Sequence, residues 1–114
     1  MLRMVGATLA RAVRPDDIVG RLGGEEFLVI LPAATAANAW GAAERLRKMV
    51  HTGWVDVAGR RVTITVSIGV AAVEPAETCK AVVMRADSAM LRAKQAGRNR
   101  TAMADGGDRP ARLD

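Results

Sequence analysis

The chain has 114 residues, half of them hydrophobic and a quarter charged, with a formal net charge of +5, which fits one small domain whose bulk is globular and not disordered. Its aromatic residues are Phe27, Trp40 and Trp54, too few for a platform that stacks single-stranded nucleic acid, while the basic balance suits either an anionic partner such as a nucleotide or a solvated arginine-rich surface. With Cys79 its one cysteine and His51 its one histidine, a disulfide framework, a zinc cluster and a Ser–His–Asp triad are all excluded.

A lone cysteine fits a reducing compartment, and the sequence shows neither a bilayer-spanning apolar run nor a secretory leader. The expectation is a cytoplasmic protein without a membrane segment.

In chain order, Leu2, Val5, Leu9 and Ala12 recur at helical spacing, so residues 1–13 are expected to form an amphipathic helix that Pro15 ends. Residues 18–21 and 26–31 are expected to pair as a β-hairpin around Gly23-Gly24, with Pro32 stopping the second strand. The five apolar residues 27–31 imply a strand buried on both faces. Thr35 is the expected N-cap of a helix to about residue 50, with Ala39, Ala43, Leu46 and Val50 inward. An extended piece at 54–57 turns at Ala58-Gly59 into the alternating run 62–70, the clearest strand in the sequence. A last helix over residues 78–96 carries Val82, Ala86, Ala89 and Ala93 inward and stops at Gly97. Residues 99–103 add a candidate edge strand, and the stretch from Ala104 to Asp114 reads as a disordered tail, leaving residues 1–103 as the domain. The order α-β-β-α-β-β-α-(β) predicts an α+β sandwich with helices on one face of a mainly antiparallel sheet.

The chemistry concentrates at the hairpin. Arg21-Leu22-Gly23-Gly24-Glu25-Glu26-Phe27 places two glycines where backbone can approach a ligand, followed at once by the carboxylates of Glu25 and Glu26, suited to a hard cation or a polarised hydroxyl. Taken alone, the run is equally a tight turn with a solvated acidic pair. The remaining chemistry-bearing residues read as follows: His51 as a surface residue, Cys79 as inert, Trp40 and Trp54 as packing.

Several separated pieces in register make the chain resemble the GGDEF family, the diguanylate cyclases, in a Gly-Gly-Glu-Glu-Phe variant. They are Arg14-x-x-Asp17 ahead of the hairpin, Gly23 to Phe27, and Ala43-Glu44-Arg45-Leu46-Arg47 in the second helix. The alternating strand follows, then Ala86-Asp87-Ser88-Ala89-Met90 and Ala93-Lys94-Gln95-Ala96-Gly97-Arg98-Asn99. The resemblance implies a ferredoxin-like fold akin to nucleotidyl-cyclase and polymerase palm domains. It also implies an activity in which two subunits each bring one GTP to a shared interface and condense them to cyclic di-GMP, releasing pyrophosphate. By the same resemblance Glu25 helps hold Mg²⁺ (Mn²⁺ being an alternative), Glu26 lies by the reacting hydroxyl or a second metal, and Gly23 and Gly24 pass beside ribose and phosphate. Lys94 and Arg98 match the family's phosphate-binding pair; four apart, they are expected on one helix face. Arg14 and Asp17 match its product-inhibitory site, with Arg45 a second arm, although a helix-ending turn also explains Arg14 to Asp17.

The family pattern begins with an Asp-x-Asp strand, a Phe-Lys-x-x-Asn-Asp segment and a Gly-His-x-x-Gly-Asp turn. This sequence has none of them, and its first residue falls inside the helix that follows. The expectation is therefore the C-terminal two-thirds of a cyclase domain, inactive alone. The alternative is a remnant that only binds cyclic di-GMP through Arg14 and Asp17.

Overall fold

The computed structural model describes residues 2–104, with side chains from Met4 onward. The elements run α1 (Leu2–Ala12), β1 (Ile18–Gly23), β2 (Glu26–Ile30), α2 (Ala36–Thr52), β3 (Val55–Val57), β4 (Arg60–Val62), β5 (Ile68–Val70), α3 (Cys79–Gln95) and β6 (Thr101–Met103). The two longer helices begin where their cap residues put them. Thr35 Oγ1 accepts from the Asn38 N–H at 3.0 Å, and Thr78 Oγ1 from the Ala81 N–H at 3.1 Å, each satisfying an otherwise unpaired donor of the first turn.

The α+β class holds, and the layering differs from the expectation. Among the described residues the strands form three separate two-stranded ladders: antiparallel β1–β2, antiparallel β3–β4 and parallel β5–β6. The strand expected over residues 62–70 is divided between β4 and β5. Residues 63–67 keep their alternation, since Ile64 and Val66 pack on the core while Thr63 and Thr65 are exposed. Their backbone has no ladder partner among the described residues, and strand hydrogen bonds require one.

One core cluster joins α1 and α2 through Val5, Leu9, Leu46 and Val50, against which Val19, Phe27, Val29, Ile64, Val66 and Ile68 pack. The expectation that β2 is buried on both faces is not met. Its inward face packs on this cluster, but Ile30 is 43% exposed and its cross-strand partner Ile18 57%. A run of apolar residues gives a strand its affinity for cover on either side; the helices here supply cover on one.

At the other end of the molecule helices lie on both faces. Val70 and Met103 pack with Ala43 of α2, whereas Ala102 and Ala104 pack with Ala89 and Ala93 of α3. β6 is thus no exposed edge strand. All three of its residues are buried, as parallel strands between helices are. The small residues on the α3 side make this possible. A Cβ on Gly69 would overlap the Ala86 carbonyl oxygen and the Met90 amide nitrogen, so α3 crosses β5 at backbone contact. Ala104, expected as the first residue of the tail, is buried, and its N–H donates to the Val70 carbonyl at 2.7 Å. The rest of the expected tail, residues 105–114, lies outside the described residues.

Candidate functional site

The hairpin ladder pairs Ile18 with Ile30, Val19 with Val29, Gly20 with Leu28 and Arg21 with Phe27, then slips so that Gly23 faces Glu26 and Leu22 is bulged out. Two positive backbone angles make the tip, φ 140° at Gly23 and 53° at Gly24. The first belongs essentially to glycine alone, although neither position has an atom that a Cβ would meet. Arg21 braces the turn by donating from Nε and Nη2 to the Gly24 carbonyl at 3.1 and 2.6 Å. Sequence reasoning missed this role, since nothing in the run distinguishes a bracing arginine from a solvated one. At the base, the Phe27 ring lies against α1 where Gly6 leaves room, 3.7 Å from the place a Cβ would take.

Glu25, in the turn, and Glu26, the first residue of β2, are both exposed, and neither carboxylate has a hydrogen bond or ion pair with any described residue. Their all-oxygen donor set suits a hard divalent cation, which commonly takes one or two carboxylates and completes its shell with water and phosphate. Among the described residues no group of three or more His, Cys, Asp and Glu gathers as a fuller cage.

Arg14 and Asp17 form a closed turn. The Asp17 carboxylate accepts from the Arg14 N–H at 2.7 Å, and the Asp17 N–H donates to the Arg14 carbonyl at 3.0 Å. This commits one carboxylate oxygen to the backbone while the Arg14 side chain stays exposed. Arg45 is exposed on α2, and no hydrogen bond or ion pair among the described residues ties it to either.

Lys94 and Arg98 do not share a helix face. α3 ends at Gln95 with Ala96 as its cap, and Gly97 turns into φ 126°. The Gly97 N–H then donates to Lys94 O at 3.4 Å and the Arg98 N–H to Ala93 O at 3.0 Å, the paired bonds of a Schellman motif. Arg98 therefore stands beyond the helix at φ 63°, followed by Asn99 at 47°. The four-residue spacing predicts a shared face only while the helix continues, and Gly97 stops it.

A network that sequence reasoning did not assemble lies beside this turn. Arg47 Nε and Nη2 donate to the two Glu44 carboxylate oxygens at 2.8 and 3.0 Å, its Nη1 donates to Asn99 Oδ1 at 3.0 Å, and the Thr101 hydroxyl donates to Glu44 at 2.7 Å. The Arg47 guanidinium, aided by Thr101 and opposed by burial, holds the Glu44 carboxyl below its ordinary value. The i,i+3 spacing of Glu44 and Arg47 was the available signal. A second ion pair joins Glu77 to Arg85, whose Nη2 also donates to the Ala72 carbonyl at 2.6 Å. With the Glu74 N–H, that arginine brings the Glu77 carboxyl down to about 2. Trp54, expected to pack, is 45% exposed and lies under the Arg61 guanidinium at 4.2 Å. No helix among the described residues is long and apolar enough to cross a membrane.

The family model described as diguanylate cyclase, GGDEF domain, matches residues 1–100, and the chain belongs to that family. It is similar to diguanylate cyclase A of Treponema denticola, with 38% identity over 104 residues, 90% of this chain and 28% of the relative. Among solved structures it superposes on the GGDEF domain of DgcB from Caulobacter crescentus, in complex with c-di-GMP, with a TM-score of 0.87 and 32% identity, over 92% of this chain and 63% of that one. Diguanylate cyclase SiaD of Pseudomonas aeruginosa, in complex with its activator SiaC, gives a TM-score of 0.84 at 37% identity, over 88% of this chain and 38% of that one. The chain thus spans well under half the length of the curated relatives it matches.

Proposed function

We propose that this chain is the C-terminal part of a diguanylate cyclase domain, in which two GTP molecules are condensed to cyclic di-GMP with release of pyrophosphate, each held by one subunit of a homodimer. The observation that carries the reading is the hairpin tip: Gly23 and Gly24 at φ 140° and 53° present Glu25 and Glu26 with exposed carboxylates that have no partner among the described residues. Glu25 would hold Mg²⁺ or Mn²⁺, with Glu26 beside it or beside the attacking hydroxyl. The bound cation supplies charge neutralisation at the phosphates and a lower pKa for the hydroxyl. Gly23 and Gly24 let ribose and phosphate pass close to the backbone, while Lys94 and Arg98 supply positive charge for the triphosphate.

Two carboxylates without a third metal-ligating side chain gathered beside them among the described residues leave positioning incomplete. The 114-residue chain by itself is therefore inactive in this reading. Incubation with GTP and Mg²⁺ or Mn²⁺, followed by chromatography, should yield no cyclic di-GMP. Grafted into the DgcB GGDEF domain in place of the segment it matches, the chain should support product formation that Glu26→Gln lowers by about a hundredfold or more. Product from the clean isolated chain would overturn its expected inactivity, and a graft indifferent to Glu26→Gln would overturn the catalytic reading of the tip.

The second reading, a module that binds cyclic di-GMP without making it, draws on the Arg14–Asp17 turn. Its backbone closure fixes the carboxylate and leaves the Arg14 fork exposed to grip a phosphate or guanine edge, with Arg45 as a second arm.

A further inference from the structure

We propose that Arg47 is a positioning residue for the anion-binding end of α3, acting through Asn99 on the backbone that carries Arg98. The inference rests on the reading of Arg98 as a phosphate ligand.

Three consecutive residues here have positive φ, 126° at Gly97, 63° at Arg98 and 47° at Asn99. Glycine takes such a conformation freely and asparagine tolerates it, but arginine does not favour it. The Schellman bonds secure the N–H groups of Gly97 and Arg98, the Arg98 carbonyl accepts from Arg100 Nε at 3.2 Å, and the hold from another element comes at Asn99, whose side-chain oxygen accepts from Arg47 Nη1 at 3.0 Å. Arg47 is in turn held at both Nε and Nη2 by Glu44, and Glu44 by Thr101, the buried first residue of β6. The bonds run without a break from α2 across the turn to β6.

The Arg47 side chain is 16% exposed and that of Glu44 26%, so water competes little for these bonds. Within this network Nε, Nη1 and Nη2 of Arg47 and both carboxylate oxygens of Glu44 are engaged with protein partners. The network's effect falls on the adjoining Arg98, which remains exposed. Fixing the backbone on both sides of that residue removes, before binding, the ordering that a phosphate would otherwise have to impose. A guanidinium fork meets Glu44 and Asn99 together, which a lysine ammonium cannot do.

The test is calorimetric titration of the 114-residue chain with inorganic tripolyphosphate at low ionic strength, well below the melting temperature of each variant. Arg98→Ala should weaken binding about tenfold or more. Arg47→Ala, Arg47→Lys and Asn99→Gly should each weaken it about fivefold, and the double variant of Arg47→Ala with Asn99→Gly no further than either alone. A network that only stabilises the fold would lower the melting temperature and leave these affinities untouched. Arg47→Ala or Asn99→Gly binding as the wild type does, while Arg98→Ala fails, overturns the positioning role alone. Wild type that does not bind, or Arg98→Ala binding equally well, overturns the phosphate reading and this inference with it. Should Arg47→Ala not fold, Asn99→Gly, which leaves the Glu44–Arg47 pair intact, carries the test.

Discussion

The hairpin tip and the β5–β6 end of the molecule handle polar groups in opposite ways. At the tip Glu25 and Glu26 stand in solvent with no partner among the described residues, on a turn held by two glycines and the brace from Arg21. At the other end Glu44, Arg47, Asn99 and Thr101 are bonded to one another, and Glu77 is clamped by Arg85. There the strands are packed between α2 and α3 closely enough that Gly69 has no space for a methyl group. Charges left unpaired contribute nothing to folding and are available for a ligand. Charges paired at the packed end hold helices and turns in place, and through Asn99 the packed end reaches a residue with ligand-binding chemistry. Stability and binding capacity are thus placed in different parts of one small chain.

The most severe way to break this division is Gly69→Ala. The added Cβ meets backbone atoms of α3, which cannot swing aside as a side chain could, so helix and strand must separate. The loss should be about 3 kcal/mol or more, a large part of the stability of a small domain. Urea unfolding should show a collapsed midpoint or no cooperative transition, and a loss under about 1 kcal/mol would mean that α3 is not seated on β5 as described.

Acid should act next, and on the packed end. The Glu77 carboxyl lies at about 2 in the folded chain against an ordinary value of 4.5, and Glu44 is also lowered. A folded pKa below the unfolded one adds stability that is fully present above the unfolded value and is lost as pH falls through the folded value. Melting temperature should therefore hold steady above pH 4.5 and decline progressively as pH is lowered toward about 2. Glu77→Gln should melt lower at neutral pH and decline less steeply in acid. An unchanged slope would remove Glu77 from the account.

The smallest effect is expected at the tip. Glu25→Gln and Glu26→Gln should each shift stability by no more than about 0.5 kcal/mol, because neither carboxylate has a partner to lose. Thermal melts compared with those of Glu77→Gln would sharpen the contrast. A loss above 1 kcal/mol at either position would show these carboxylates to be structural.

Much of the candidate site could be read along the chain because it is local. Gly23-Gly24 between two apolar runs predicts the hairpin, and the carboxylates follow by adjacency. Arg14 and Asp17 sit at turn spacing, and the turn is formed. The Arg47–Asn99 bond, spanning 52 residues, has no such signature. Arg98 differs from its expected place for a related reason: helical spacing sets it beside Lys94 only if α3 continues, and at Gly97 the backbone leaves the helix.

The sequence by itself determined the three helices, with Thr35 and Thr78 starting the two capped ones, as well as the tip hairpin and the Ala58-Gly59 turn between β3 and β4. Each follows from propensities and side-chain periods that act over a few residues. Only the tertiary structure decided that residues 62–70 divide into two strands, that β6 pairs parallel to β5, and that α3 covers the face of β5 opposite α2. Whether an extended segment becomes a strand depends on whether its N–H and C=O groups meet a partner across space. Which face a helix covers depends on where residues as small as Gly69, Ala89 and Ala93 let backbones approach. Those conditions join residues far apart in the chain, and no local pattern encodes them.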